Sequence, residues 1–499
     1  MNLLTLLEMA AAGHGDRPAL CAGGTALSAS QLRERSYAGS AWLLDNNPDT
    51  VLFVGENGLA FPLALFAAAG AGRPLLPLNY RLAREQLESA VGDHGRVVLI
   101  GDDATLAALP NVVAAIGLRD WVELTSRRPA VAAAPVEPDV DDVALLLMTS
   151  GTTSAPKSAV LRHRHLASYV LGSVEFGASD EDEAMIVSVP PFHIAAVANL
   201  LSNLYSGRRV VYLERFSAVD WLRTVEREGV TNAMLVPTML SRIVDAIEAG
   251  AAPVPTSLRS VSYGGAPLAP KILERALRLL PDVGFVNAYG LTETSSSIAV
   301  LGPQDHRVAA ASDDPSVRAR LGSVGRPLPT VQIQIRDVRG RPCATGEIGL
   351  IFVKGPQVAG EYRATGPVTD SEGWFSTKDE GYLDADGFLF VRGRADDTII
   401  RGGENIAPAE IEAVLHRHEA VAEVAVVGVP DEEWGQRIAA FIVRRPDAVV
   451  TTEQLRDYVR ARLRSSKTPD IVQFLDELPH TPTGKILRRE LVSQLSVPV

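Results

Sequence analysis

One unit recurs along this chain and decides its fold class: an apolar run of strand length, a helix-length segment, a glycine, then a second apolar run. Val51-Leu-Phe-Val54 leads through a helical stretch to Gly72 and on to Pro74-Leu-Leu-Pro-Leu78. Met185-Ile-Val-Ser-Val189 leads through Ile194 to Tyr205, then Gly207, then Val210-Val-Tyr-Leu213. Ala218 to Glu228 reads as a helix that ends at Gly229 and gives way to Ala233-Met-Leu-Val236. Glycine accepts the left-handed conformation that stops a helix and returns the chain to the sheet. The unit therefore specifies an α/β protein. The longest apolar run, Leu59 to Ala71, is interrupted by Pro62 and Gly70 and is too short to span a bilayer, so a buried helix is expected there.

A polar loop leaves another such strand. Val143 to Met148 is apolar; Thr149-Ser150-Gly151-Thr152-Thr153-Ser154 follows and ends in Pro156-Lys157. Hydroxyls and backbone N–H groups donate to phosphate oxygens, Gly151 permits close approach, and Lys157 brings positive charge. The spacing nearly matches a Walker loop, with Gly151, Lys157 and Ser158 in place, but Pro156 stands where the second glycine belongs. Proline has no N–H to donate and cannot take φ > 0. A phosphate loop of another kind is the better reading. A Ser/Thr-rich surface turn would explain the hydroxyls, but neither the strand before them nor the lysine after.

Composition removes several classes. With 499 residues, 46% of them hydrophobic, the chain can build two or more domains. A net charge of -12 with no long basic stripe argues against a nucleic-acid partner. Two distant cysteines, Cys21 and Cys343, exclude a disulfide scaffold and a cysteine-built metal site, and suit a reducing cytoplasm. Met1 to Ala12 is apolar without a preceding basic residue, which argues against a signal peptide. Neither a transmembrane segment nor a low-complexity tract is expected.

Segments 125–141 and Pro303 to Ser316 read as surface loops. After Asp379 the texture changes. Gly381 to Gly387 reads as a hairpin connection and Phe388 to Val391 as a strand, followed by an Asp-rich link and a Gly402-Gly403 turn. A fresh α/β set then begins: a helix from near Pro408, strands near Val424–Val429 and Ile438–Val443, and a helix over about 452–464. We place a domain boundary at 394–397, giving domains 1–394 and 395–499.

Further segments suit a nucleotide site, each with a plainer alternative. Tyr289-Gly290-Leu-Thr292-Glu293-Thr294 follows an apparent strand, Gly284–Ala288, and a glutamate there can hold Mg²⁺ beside a phosphate loop; the same residues also fit a helix start. Asp379 before Glu380-Gly381 suits a ribose diol or is simply a turn residue. Arg394 with Asp396 and Asp397 is either functional or a local ion pair. Pro482-Thr-Gly484-Lys485 presents a lysine on a glycine turn, or a basic surface end.

Taken together and in this order, these pieces resemble the adenylate-forming superfamily, in its acyl-CoA synthetase branch. The likeness runs over nearly the whole length. It includes Pro190-Pro-Phe-His193, Tyr263-Gly264-Gly265-Ala266-Pro267-Leu268, Gly346-Glu347, Gly373-Trp-Phe-Ser-Thr-Lys-Asp379 and Gly393-Arg394-Ala-Asp396-Asp397 through Glu404-Asn405. The resemblance implies a large N-terminal adenylate-forming domain of α/β subdomains and a small mobile C-terminal α/β domain. It also implies ATP, Mg²⁺ and coenzyme A. Thr149, Ser150, Gly151, Thr152, Thr153 and Lys157 would then surround the β- and γ-phosphates, with Thr152 and Glu293 near the metal; Gly290 and Thr292 would also bind the nucleotide. Gly264, Gly265, Ala266, Pro267 and Tyr289 would frame the adenine, Asp379 would hold the ribose, and Arg394 would support the ribose–phosphate side. Lys485 would bridge the carboxylate and the α-phosphate. A hinge at Asp396 would exchange the Lys485 face for the Gly402-Gly403 face, opening a thiol tunnel.

His193 is either a packed core histidine or, as in similar ligases, a residue that lines the carboxylate and gates the thiol. Amino-acid-activating relatives commonly carry an aspartate at this site; His193-Ile-Ala-Ala-Val has none, which favours a substrate without an α-ammonium. Ser154 and Ser158 stand where relatives mostly have glycine, and Met148 where many have an aromatic residue. Lys378 replaces the glycine usual before the ribose aspartate and must take up that turn's backbone shape.

The leading expectation is an acyl-CoA ligase for a hydrophobic monocarboxylic acid, fatty or aromatic. His193–Leu200, Ser262–Gly265 and Thr294–Val300 are small and mostly apolar, without lysine, arginine or aspartate. One rival is an acyl-AMP ligase that loads an acyl carrier protein in trans. Gly346 to Arg394 has no room for the insertion of its fatty-acid type, and no carrier domain follows Lys485. A catalytically silent adenylate binder is the rival from another class; retention of Lys485, Glu293, Asp379 and Arg394 speaks against it.

Overall fold

The computed structural model describes all residues except 83, 93, 128–134, 150–156, 402, 403, 432, 482–484 and 496–499. The protein is mixed α/β, with a large N-terminal and a small C-terminal domain. The expected units are present. Strand Thr50–Val54 leads through helix Ala60–Gly70 to Leu75–Pro77, and Ala184–Val187 leads through helix Ile194–Ser206 to Arg209–Tyr212. Helix Ala218–Arg227 then leads to strand Asn232–Leu235. Gly207 closes its helix at φ 82 and Gly229 follows its own at φ 60, the left-handed conformation that glycine takes without strain.

Among the described residues, nine strands form one sheet. Its centre is parallel: Gly284–Leu291, Ser260–Gly264, Asn232–Leu235, Ala184–Val187, Arg209–Tyr212 and Pro18–Ala22 lie side by side in that order. A second sheet of eight runs Gly366–Pro367, Glu361–Tyr362, Lys157–Arg162, Val143–Thr149, Leu75–Pro77, Thr50–Val54, Val97–Gly101, Val112–Ile116. The main core lies between the two. Helices Leu3–His14, Ala60–Gly70 and Ile194–Ser206 pack there against Val187 and Val210 of one sheet and Val51, Phe53 and Leu145 of the other. Every residue of Ala60–Gly70 is buried, as its uniform apolarity requires. Each of Phe61, Leu63, Leu65 and Phe66 contributes about 2 kcal/mol by leaving water.

A four-stranded antiparallel sheet follows, built from Gln332–Arg336, Gly349–Lys354, Phe375–Leu383 and Leu389–Arg394. The C-terminal domain pairs Val421–Asp431 with Gly435–Arg444 and adds Ile471–Leu475 in parallel. Helices Pro408–Leu415, Thr452–Arg460 and Arg488–Leu495 belong to it.

Three expectations need correction. Pro303 to Ser316 is not a loop: helix Pro303–Ala311 and the start of helix Pro315–Ala319 occupy it. Each proline sits in a first turn, where its missing N–H leaves no bond unmade, and Asp314 caps the second helix through Ser316 N at 2.8 Å. His306 and Ala309, three apart, face inward; the polar residues are the outer face. His306 Nε2 then lies 2.9 Å from the Tyr263 hydroxyl, beside Gly264. Segment 125–141 begins inside helix Leu118–Arg127, where Thr125 is buried; 128–134 lie outside the described residues and 135–141 are irregular. The hairpin turn is only Asp384 to Gly387, tightened by Asp384 Oδ1 accepting from Phe388 N at 2.8 Å, while Gly381 remains in strand Phe375–Leu383. Strand Ile471–Leu475 and helix Arg488–Leu495 were not anticipated.

Candidate active site

The segments holding His193, Gly264 and Tyr289 follow the carboxyl ends of parallel strands, where open α/β sheets leave room for ligands. Strand Ser260–Gly264 ends at Gly264, which pairs with Ala288 of the neighbouring strand. A Cβ on Gly264 would lie 2.1 Å from the Ala288 carbonyl oxygen, so no other residue fits. Gly265 follows at φ 82 and is exposed, with Ala266 half-buried and Pro267 exposed. Strand Gly284–Leu291 carries Tyr289 and Gly290 and runs into the 3₁₀ turn Thr292–Thr294. The segment is thus a strand end that passes directly into a single short helical turn.

Asp379 and Arg394 face each other across the strands Phe375–Leu383 and Leu389–Arg394. Arg394 Nη1 donates to Asp379 Oδ1 at 3.1 Å and to the Thr377 carbonyl at 3.0 Å. The Tyr289 hydroxyl donates to Asp379 Oδ2 at 2.6 Å. Asp379 is 6% exposed; burial pushes its carboxyl above the usual range, against the opposing pull of Arg394 and Tyr289. Burial, and then the charge of Asp379, push the Tyr289 phenol well up. Lys378 adopts φ 61, the left-handed shape that its position demands.

Glu293 is buried, and its Oε1 accepts from the Tyr362 hydroxyl at 2.6 Å. Lys157 Nζ lies 5.5 Å from the centroid of the same Tyr362 ring, over its face. Thr149 Oγ1 donates to the Lys157 carbonyl at 3.2 Å, joining the two ends of the polar loop. Ser150, Gly151, Thr152 and Thr153 lie outside the described residues, as do Gly402 and Gly403. Tyr362 was not legible in the sequence because its partners are 69 and 205 positions away. Thr377 was not legible either, although it accepts from Asp379 N at 3.1 Å.

The C-terminal domain contributes Lys485. Thr481 N donates to the Lys485 carbonyl at 2.7 Å and Lys485 N to Thr481 Oγ1 at 3.0 Å. Burial lowers the Lys485 ammonium below the usual lysine value, and the Arg394 charge adds to this; Asp397 and Asp379 act the other way. Arg488 Nε reaches Asp397 at 3.5 Å. Asp396 is exposed in the 3₁₀ turn Ala395–Asp397.

His193 stands immediately before helix Ile194–Ser206 without a side-chain capping bond and is half-buried, and burial lowers its imidazole to about 4. Its ring lies 4.9 Å from Phe192. The helix packs against strand Ser296–Leu301, which brings two of the small apolar segments together. No hydrogen bond links His193 to Glu293, Asp379 or Lys485 among the described residues.

Among the described residues no three His, Cys, Asp or Glu side chains cluster to hold a metal. Glu293 is a single buried carboxylate. That donor set fits Mg²⁺ carried on phosphate oxygens rather than in a protein cage.

Residues 7–363 match the family model for the AMP-binding enzyme, and residues 410–485 match the AMP-binding enzyme C-terminal domain. A fatty acid–[acyl-carrier-protein] ligase, ScoC of Streptomyces coeruleorubidus, is 33% identical over 89% of this chain and 86% of its own length. A feruloyl-CoA synthase of Amycolatopsis sp is 35% identical over 94% of both. Among solved structures, o-succinylbenzoate CoA synthetase (MenE) from Bacillus subtilis, in complex with the acyl-adenylate intermediate OSB-AMP, superposes with a TM-score of 0.83 at 29% identity, covering 97% of each chain. The same enzyme with ATP and magnesium ion superposes at 0.82, covering 97% of this chain and 98% of its own. The chain belongs to the AMP-binding enzyme family and is an AMP-forming acid–thiol ligase of the adenylate-forming superfamily.

Proposed function

We propose that the protein is an ATP-dependent acyl-CoA ligase for a hydrophobic monocarboxylic acid. The observation that carries this reading is the buried cluster of Asp379, Arg394 and Tyr289, whose charges act on Lys485 of the small domain. In the first step a carboxylate oxygen attacks the α-phosphorus of ATP, the bond to the β-phosphate breaks, and pyrophosphate leaves. Two anions must approach, and fixed cations drawn from both domains offset their repulsion. Lys485 bridges the carboxylate and the α-phosphate, and Arg394 supports the ribose–phosphate side. Asp379 accepts from the ribose hydroxyls. Gly264 to Pro267 and Tyr289 frame the adenine. Thr149 to Thr153 and Lys157 enclose the outer phosphates, while Thr152 and Glu293 hold Mg²⁺. That ion, when bound, supplies neutralising charge at the phosphates.

In the second step the thiol of coenzyme A displaces AMP from the acyl carbonyl. Lys485 must leave first. We assign the boundary between domains 1–394 and 395–499 to the turn around Asp396, which acts as the hinge and brings Gly402 and Gly403 to the tunnel. Neutral His193 lines the carboxylate site, and the apolar segments behind it offer no charge to a second carboxylate. Cytoplasmic placement belongs to this proposal. Its support is that both cysteines are free and that no helix among the described residues is long and apolar enough to cross a membrane.

A second reading, delivery to an acyl carrier protein in trans, draws on the similarity to the fatty acid–[acyl-carrier-protein] ligase. ATP–pyrophosphate exchange across fatty and aromatic acids, followed by transfer to coenzyme A or to a holo carrier protein, tests both. Exchange with transfer to coenzyme A is expected. Transfer to the carrier alone would favour the second reading, and silence with every acid would overturn both.

A further inference from the structure

Residues Ala359 to Arg363 grip two parts of the site at once. Ala359 N and Gly360 N donate to the Glu293 carbonyl at 2.9 and 3.3 Å, and the Tyr362 hydroxyl takes the Glu293 carboxylate at 2.6 Å. On the other side Tyr362 pairs with Ala159 of strand Lys157–Arg162, and Arg363 N donates to the Ser158 carbonyl at 2.9 Å. Glu361 is clamped by Arg162 through contacts of 3.0, 2.7 and 2.9 Å. The Tyr362 ring lies under the Lys157 ammonium. One side chain therefore spans the anionic and cationic ends of the phosphate region: hydroxyl to Glu293, face to Lys157.

We propose that Tyr362 is a positioning residue that sets the orientation of Glu293 relative to Lys157, and through it the affinity for the magnesium-bound form of ATP. This rests on the nucleotide site assigned above. A carboxylate held by a hydroxyl is already oriented when the cation arrives, and outer partners of this kind commonly change metal affinity strongly when removed. The face of the ring holds Lys157 by attraction to its π-electrons, an interaction that does not need the hydroxyl.

Tyr362→Phe separates the two roles. ATP binding is measured by calorimetry on the full chain, in excess Mg²⁺ and in EDTA, alongside thermal unfolding. Tyr362→Phe should bind ATP as the wild type does in EDTA. In Mg²⁺ it should bind roughly ten- to a hundredfold more weakly. Glu293→Gln should show the same selective loss, and adding Tyr362→Phe to it should cost nothing further. An unchanged affinity in Mg²⁺, an equal loss with and without Mg²⁺, full additivity with Glu293→Gln, or failure of Tyr362→Phe to fold would each overturn the proposal. A wild-type protein that binds ATP with Mg²⁺ but activates no acid would remove the ligase reading and leave this one standing. Failure to bind ATP at all would remove both.

Discussion

Arg394 and Asp379 are directly opposite in an antiparallel ladder, and a single guanidinium nitrogen, Nη1, serves both the Asp379 carboxylate and the Thr377 carbonyl. The carboxylate is more deeply buried than its partner, with side-chain exposures of 9% and 26%. Removing one member of a buried pair leaves the other without compensation. Arg394→Gln should therefore lower stability by about 3 kcal/mol and weaken ATP binding. Arg394→Gln with Asp379→Asn should cost less stability than the two changes summed. Denaturant unfolding of the single and double variants measures this coupling; strict additivity would mean that the pair is not a unit.

Lys378 sits at φ 61, a region that costs a side chain about 1 kcal/mol and glycine almost nothing. Because Lys378 is exposed, its side chain offers little in return. Lys378→Gly should raise stability by a few tenths to about 1 kcal/mol, glycine's greater unfolded freedom taking back part of the gain. Lys378→Ala should not. ATP affinity should be unchanged in both, measured beside thermal unfolding.

Asp396 lies in an exposed turn between strands Leu389–Arg394 and Ile399–Arg401, at the proposed domain boundary. Asp396→Pro fixes φ near −65° and removes a freedom that rotation of the small domain requires. Transfer to the thiol should fall by about tenfold or more, while adenylation stays within about twofold of the wild type. Separate assays of pyrophosphate release and thioester formation decide it. Equal loss of both steps would place the hinge elsewhere.

His163 and His165 are 2% and 3% exposed, and burial lowers both rings to about 4 from an ordinary 6.5. Their folded values lie below the unfolded one, so their contribution is complete above pH 6.5 and is lost as pH falls through 4. Each ring accounts for about 3 kcal/mol over that window. His163 Nδ1 accepts from Leu3 N at 3.3 Å, so protonation also loosens the first helix. Unfolding midpoints should drop steeply between pH 6.5 and 4, and His165→Asn should flatten that slope. An unchanged slope would show that the ring is not neutral in the fold.

Much of the architecture was legible because it rests on local signals. A glycine after a helix and an unbroken apolar run report the backbone and the core within a few residues, as at Gly207 and Ala60–Gly70. The strain at Lys378 was legible too, since only a family pattern and the cost of φ > 0 were needed. Helix Pro303–Ala311 was missed because its polar outer face masks the inward pair His306 and Ala309. Strand Ile471–Leu475 is half-buried throughout and carries no strong alternation. Tyr362 is the clearest failure: its role arises from contacts with Glu293 and Lys157, which no local pattern encodes. Nor could spacing show that the Arg394 charge acts on Lys485, because the two are 91 positions apart.

In the proposed mechanism the Lys485 ammonium, delivered from the small domain, offsets the charge that builds when a carboxylate meets the α-phosphate. Rapid-quench measurement of acyl-adenylate formation by Lys485→Ala tests it most directly, with transfer from presynthesised acyl-adenylate to coenzyme A followed in parallel. Adenylation should fall by at least about a hundredfold while transfer proceeds at the wild-type rate. Adenylation at the wild-type rate would contradict the account.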